Sequence, residues 1–177
     1  MTVSSTTVKQ SYSGNGSTSA FTYSFKINSI NELKVIIRSS TGTETVKSIS
    51  THYNVSDTGS GGTVTFTSGN IPASGETVVL LRNTNLTQTT DYVENDPFPA
   101  ESHEGALDKL TLQIQEVQEE VDRSIKLSET NTMTSTEFTV GATDRASKIL
   151  AFDSSGEISV TQELGTFRGN WAASTAY

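Results

Sequence analysis

Five apolar residues, Leu107, Leu110, Ile114, Val117 and Val121, follow one another at intervals of 3, 4, 3 and 4. That spacing holds them on one stripe of an α-helix and defines alternating a and d positions of a heptad repeat. No proline interrupts residues 100–128, and Gly105 is the one poor helix former within residues 100–127. Leu107, Ile114 and Val121 take a, and Leu110 and Val117 take d. β-Branched residues therefore occupy both kinds of position, which departs from the pattern favouring two strands and predicts a parallel three-stranded coiled coil. A seam this short does not hold an isolated helix, so folding and association are expected to be coupled. His103 falls on the preceding d position, where exposure at a fraying helix end is the stronger reading over a role in setting register.

The segment before the helix reads as β structure. Residues 1–18 are polar and punctuated by glycine, with Tyr12 the one large ring, and are expected to form an extended arm or a weak first strand. From there to residue 82 the period is two. Phe21, Tyr23 and Phe25 alternate with Thr22 and Ser24, Leu33, Val35 and Ile37 repeat the pattern, and Phe66 belongs to a further short strand. Thr77–Arg82 is a nearly continuous apolar run, the mark of a well-buried strand. About six short strands at such spacing predict a small antiparallel sandwich or barrel-like domain over residues 19–82. Its expected core is Phe21, Tyr23, Phe25, Leu33, Val35, Ile37, Phe66, Val78 and Leu80. The glycine-rich stretch 57–62 is expected to be a hairpin turn rather than a phosphate loop, because a strand follows it and not a helix.

Residues 83–99 lose all periodicity and end in Pro97, Phe98 and Pro99. Proline lacks an amide for a ladder and restricts its predecessor, so this segment reads as a flexible connector, with Asn83, Pro97, Phe98 and Pro99 as its hinge. Residues 100–128 are assigned to the coiled-coil helix. Residues 129–177 return to Ser/Thr-rich sequence with thin apolar pieces around Phe138, Ile149 and Ile158. They are expected to form a β-rich shaft stable only when three copies intertwine, and then to start a further module near Trp171. The whole is thus predicted to be mainly β, with a trimeric helical segment in its middle.

Several kinds of chemistry are set aside. A formal charge of -8 and a pI near 4.7 argue against nucleic acid as a partner, because that affinity rests on Lys and Arg replacing counterions. The absence of cysteine removes thiolate catalysis and Cys-ligated zinc. No basic segment followed by an apolar core opens the chain, and no apolar run approaches a membrane span, so a soluble chain without membrane insertion is expected. His52 and His103 read as turn and helix-start residues, and Asp91, Glu94, Asp96 and Glu101 as a solvated acidic stretch without the spacing of a calcium loop. No catalytic residues, metal ligands or cofactors are predicted, and the chain is not read as an enzyme.

Taken in order, several motifs resemble one family. They are Phe21-Thr22-Tyr23-Ser24-Phe25, the strand from Leu33 to Ile37, Tyr53 with Val55, Ile71-Pro72-Ala73-Ser74-Gly75, and Val79-Leu80-Leu81-Arg82-Asn83-Thr84. Phe98-Pro99-Ala100, Ala106-Leu107-Asp108-Lys109-Leu110 and Gln115-Glu116 complete the set. Residues 20 to about 125 are similar to the N-terminal domain of T7-like phage tail fibre proteins. The resemblance implies a β domain that docks a homotrimeric fibre to the tail, at the adaptor and the nozzle or tail tube, in a virion assembled in the host cytoplasm. It also implies a distal part that meets the host receptor during adsorption. The rival reading is the anchor of a tailspike that carries a glycan depolymerase further along.

Overall fold

The computed structural model describes residues 3–93, 99–134 and 140–163. The chain divides into two compact units, residues 1–125 and 126–177.

Among the described residues of the first unit, seven strands form two antiparallel sheets. One sheet runs β1-β7-β3-β4, built from β1 (Lys9–Ser13), β7 (Thr77–Arg82), β3 (Leu33–Arg38) and β4 (Glu44–Lys47). The other runs β2-β6-β5, from β2 (Ala20–Tyr23), β6 (Gly62–Phe66) and β5 (Tyr53–Asp57). Strand alternation sends one face of each sheet inward, and the two faces share one hydrophobic cluster. All nine residues expected in the core lie in it, joined by Ile27, Tyr53 and Val64. Rings meet at an edge where Phe21 and Phe66 stand 5.7 Å apart and nearly perpendicular.

One detail decides between the arm and the first strand expected for residues 1–18, and two depart from the sequence pattern. Lys9–Ser13 pairs with β7 along its whole length, so residues 9–13 form a strand of the sheet rather than a free arm. Without them β7 would present an open row of amides and carbonyls. The alternation beginning at Phe21 outlasts its strand: β2 stops at Tyr23, where the Ser24 amide turns to Gln10 Oε1 at 2.6 Å, yet Phe25 and Ile27 are still buried. The run in β7 is not buried on both sides. Val78 and Leu80 are fully buried, whereas Val79 and Leu81 face outward and are half-buried.

Residues 57–62 form the hairpin between β5 and β6, with the Thr58 amide donating to Gly61 O. Gly62 is required by a close approach. A Cβ there would stand 2.2 Å from Ser56 O and 2.5 Å from Tyr23 Oη. That phenol donates to Asp57 Oδ1 at 2.9 Å, and burial, followed by this hydrogen bond and the Asp57 charge, pushes its pKa well above the usual tyrosine value.

The helix α1 spans Ala100–Asp122, and the chain leaves it through Arg123. In the second unit a single turn, α2 (Ala142–Arg145), precedes the hairpin of β8 (Lys148–Phe152) and β9 (Ile158–Glu163). Its turn is held by the Ser155 and Glu157 amides on Asp153 Oδ1 and by Gly156 at φ 81. The register sets Leu150 opposite Val160 and Phe152 opposite Ile158, which gathers four apolar residues on one face. Leu150 and Phe152 are 64% and 67% exposed there.

Candidate assembly interface

Helix α1 sits on its own β domain by its polar side. Asp108, Leu112, Gln115, Glu116 and Glu119 recur at helical spacing, and all are buried or half-buried. Leu112, fully buried, is the one apolar residue in this stripe. The contacts around it are ionic. Lys26 Nζ meets Asp108 Oδ2 at 2.6 Å, Lys9 Nζ meets Glu119 Oε1 at 2.5 Å, and Arg82 Nε meets Glu116 Oε1 at 2.8 Å.

Arg82 is the centre of this latch. Its side chain is 1% exposed at the end of β7. Besides Glu116 it donates through Nη2 to Leu112 O at 3.2 Å and Gln115 Oε1 at 2.8 Å. Glu116 in turn accepts from the Thr84 amide and hydroxyl. A buried guanidinium spread over several acceptors has its charge compensated, which is the condition for burying it at all. The N-terminal stretch closes the same joint from the other side, where Asp108 Oδ1 accepts from the Val3 amide and Gln115 donates to Ser5 O.

The charges respond accordingly. Burial works to raise the pKa of Asp108, but hydrogen bonds from Lys26 and Val3 and the Lys26 charge hold it below the usual carboxylate value. At Glu119 burial likewise works to raise the pKa, but the hydrogen bonds and charges of Arg123 and Lys9 outweigh it and hold the pKa below the usual carboxylate value.

The opposite side of the helix is apolar and uncovered. Leu107, Leu110, Ile114, Val117 and Val121 are 53%, 56%, 69%, 58% and 44% exposed. At 100° per residue their stripe lies about 180° from the one that meets the β domain. In heptad terms, the domain takes the b, c and f positions and leaves a and d open. An ordinary surface helix turns its apolar stripe to its own core; this one does the reverse.

The hinge residues fall in different places. The Asn83 amide donates to Glu32 O at 2.7 Å, which ties that residue to the β domain. Pro99 is the N-cap of α1, and Pro97 and Phe98 lie outside the described residues. So do Glu94, Asp96, Phe138 and Trp171. His103 Nδ1 stands 3.3 Å from Tyr92 Oη, and His52 Nδ1 accepts from the Ser48 amide. The helix ends at Asp122, six residues before the end of the segment assigned to it.

Sequence reasoning singled out the seam and missed the latch. Leu112 was a visible signal, since an apolar residue on the polar face of an amphipathic helix needs cover of its own. Nothing local marks Arg82 as the partner of Glu116, 34 residues away.

No protein-family model matches the chain. Over 122 residues it is 37% identical to the tail spike protein of Salmonella phage epsilon15, a stretch amounting to 66% of this chain. The likeness supports a structural protein of a phage tail. The match spans 11% of the length of that relative, so it concerns one region of a much longer tail spike. Among the described residues no helix is long and apolar enough to cross a membrane, and no three His, Asp or Glu side chains gather as a metal site.

Proposed function

We propose that residues 1–125 are the anchoring part of a homotrimeric phage tail fibre or spike, joined through the α1 seam and docked to the tail by its β domains. The observation that carries this reading is the inverted helix. An apolar stripe spaced at a and d, with its opposite face already occupied by ionic contacts to its own domain, is suited to other copies of the same stripe. The exposed face of Leu150 and Phe152 supports a second three-chain contact further along, and the order of the two supports a parallel arrangement. The likeness to a tail spike protein supports placing such a trimer in the virion tail, as does the T7-like order of motifs. Adaptor and nozzle or tail-tube proteins are then the proximal partners, a host surface receptor the distal one, and adsorption the purpose. The β domain and helix serve binding and assembly, with no catalytic step in this region.

The connector fits this scheme with one condition. Attached to the side of a tail, off the six-fold or twelve-fold axis that the family resemblance implies, the three chains of one fibre cannot all meet equivalent sites, so at least one copy must differ. Domain and helix are clasped by Arg82, Lys26 and Lys9. Movement about Asn83, Pro97, Phe98 and Pro99 therefore requires the latch to open.

A second reading keeps the same anchor but gives it to a tailspike with a glycan-degrading domain elsewhere in the polypeptide. The name of the relative, a tail spike protein, is compatible with both readings. The decisive experiment for the anchor itself is a virion assembled with residues 1–90 deleted. Such particles are expected to lack the appendage; normal appendages and normal adsorption would overturn the proposal.

A further inference from the structure

The segment following β7 is fastened along one flank of α1. Asn85 O accepts from Gln113 Nε2 at 2.9 Å and Thr87 O accepts from Lys109 Nζ. The Asn85 amide donates to Glu32 Oε1 at 3.0 Å, and Asn85 Oδ1 accepts from the Thr87 amide and hydroxyl at 3.1 and 3.0 Å. Between these fixed points stands Leu86, 81% exposed. Single exposed leucines are common on surfaces. This one is held by backbone bonds on both sides, and it borders the same cavity as Leu110, a d residue of the seam.

The flank is specific. With Leu107, Ile114 and Val121 at a, Gln113 is a g position and Thr111 and Gln118 are e positions. In a parallel coiled coil the g side of each helix faces the e side of its neighbour. The fastened segment thus lies where a second copy arrives, at the height of Leu110 and Thr111. The e side of that copy borders its b residues Asp108 and Gln115, which are hydrogen-bonded to Val3 and Ser5, and its Thr111 and Gln118 are exposed.

We infer that residues 85–87 form a clasp between chains, in which Leu86 covers the e flank of the neighbouring copy near its Thr111. This rests on the trimeric reading above and extends it: the occupant is a second copy of this chain, and the interface includes a loop outside the heptads. The clasp would also screen the rim of the seam from water, where Gln113 and Gln118 supply no apolar cover.

The chain contains no cysteine, so engineered pairs report cleanly. Leu86→Cys combined with Thr111→Cys in the 177-residue chain should, on mild oxidation, give covalent dimers and trimers on a denaturing gel, while sedimentation shows the trimer unchanged. Leu86→Cys with Lys47→Cys, a pair away from the flank, should remain monomeric on the same gel. Trimers in sedimentation that yield only monomeric bands from the first pair overturn the clasp and leave the seam standing. A chain that sediments as monomer before oxidation overturns both.

Discussion

Arg82, at the end of β7, donates through Nε to Glu116 at the middle of α1 over 2.8 Å, and its side chain is almost completely withdrawn from water. This pair makes the helix a part of the β domain. It also decides which side of the helix is left for other chains. Removing the arginine should therefore cost stability. Arg82→Met leaves Glu116 half-buried beside Thr84, and a broken pair of this kind costs about 3 kcal/mol. Chemical denaturation should show that loss, and Arg82→Met with Glu116→Met should recover part of it.

The seam is tested by Ile114→Asp. Three carboxylates at the axis of a bundle cost several kcal/mol, enough to separate the chains. Sedimentation of the wild-type chain at micromolar concentration should give a trimer and the variant a monomer or aggregate. A wild-type monomer with a fully formed helix by circular dichroism would refute the seam. The latch predicts in addition that the variant keeps most of its helicity, since Asp108, Leu112, Glu116 and Glu119 remain bound to the β domain.

Acid should loosen the latch. Asp108 and Glu119 have folded-state pKa values below their ordinary ones. Depressed carboxylates contribute stability that is fully present above the unfolded values, about 3.9 for Asp and 4.3 for Glu, and is lost as pH falls through the folded values. Unfolding free energy should be flat in this respect from pH 7 to about 5 and fall below about 4. Asp108→Asn with Glu119→Gln should reduce that acid slope. An unchanged slope would show that other carboxylates set it.

Two glycines should respond in opposite directions to alanine. Gly62→Ala forces a methyl into Ser56 O and the Tyr23 hydroxyl, and overpacking of this kind costs about 1–3 kcal/mol. Gly105 lies within α1 with nothing within 4 Å of an added Cβ. Gly105→Ala should raise stability by about 0.5–1 kcal/mol. Thermal unfolding of the two variants measures both.

In a reconstruction of the virion, the copy of the β domain that departs from three-fold symmetry should be the one in which Arg82 and Glu116 have separated. Three domains that break the symmetry with all three pairs intact would place the flexibility elsewhere.

Local pattern was enough for the elements whose side chains settle their own environment. A period of two brought Phe21, Leu33, Val35, Ile37, Phe66, Val78 and Leu80 into view because strand geometry sends alternate residues to one face. The intervals from Leu107 to Val121 marked a helix stripe for the same kind of reason. Tertiary structure decided everything that depends on which face meets what. Whether residues 9–13 form an arm or a strand turns on the open edge of β7, to which they have no local relation. That α1 turns its charged side inward follows from Lys9, Lys26 and Arg82 arriving at one surface from β1, the segment after β2 and the end of β7. A charged residue carries no mark of its partner in the sequence, because ion pairing is long-range and has no period. A buried arginine such as Arg82 is legible only once the chain has folded around it.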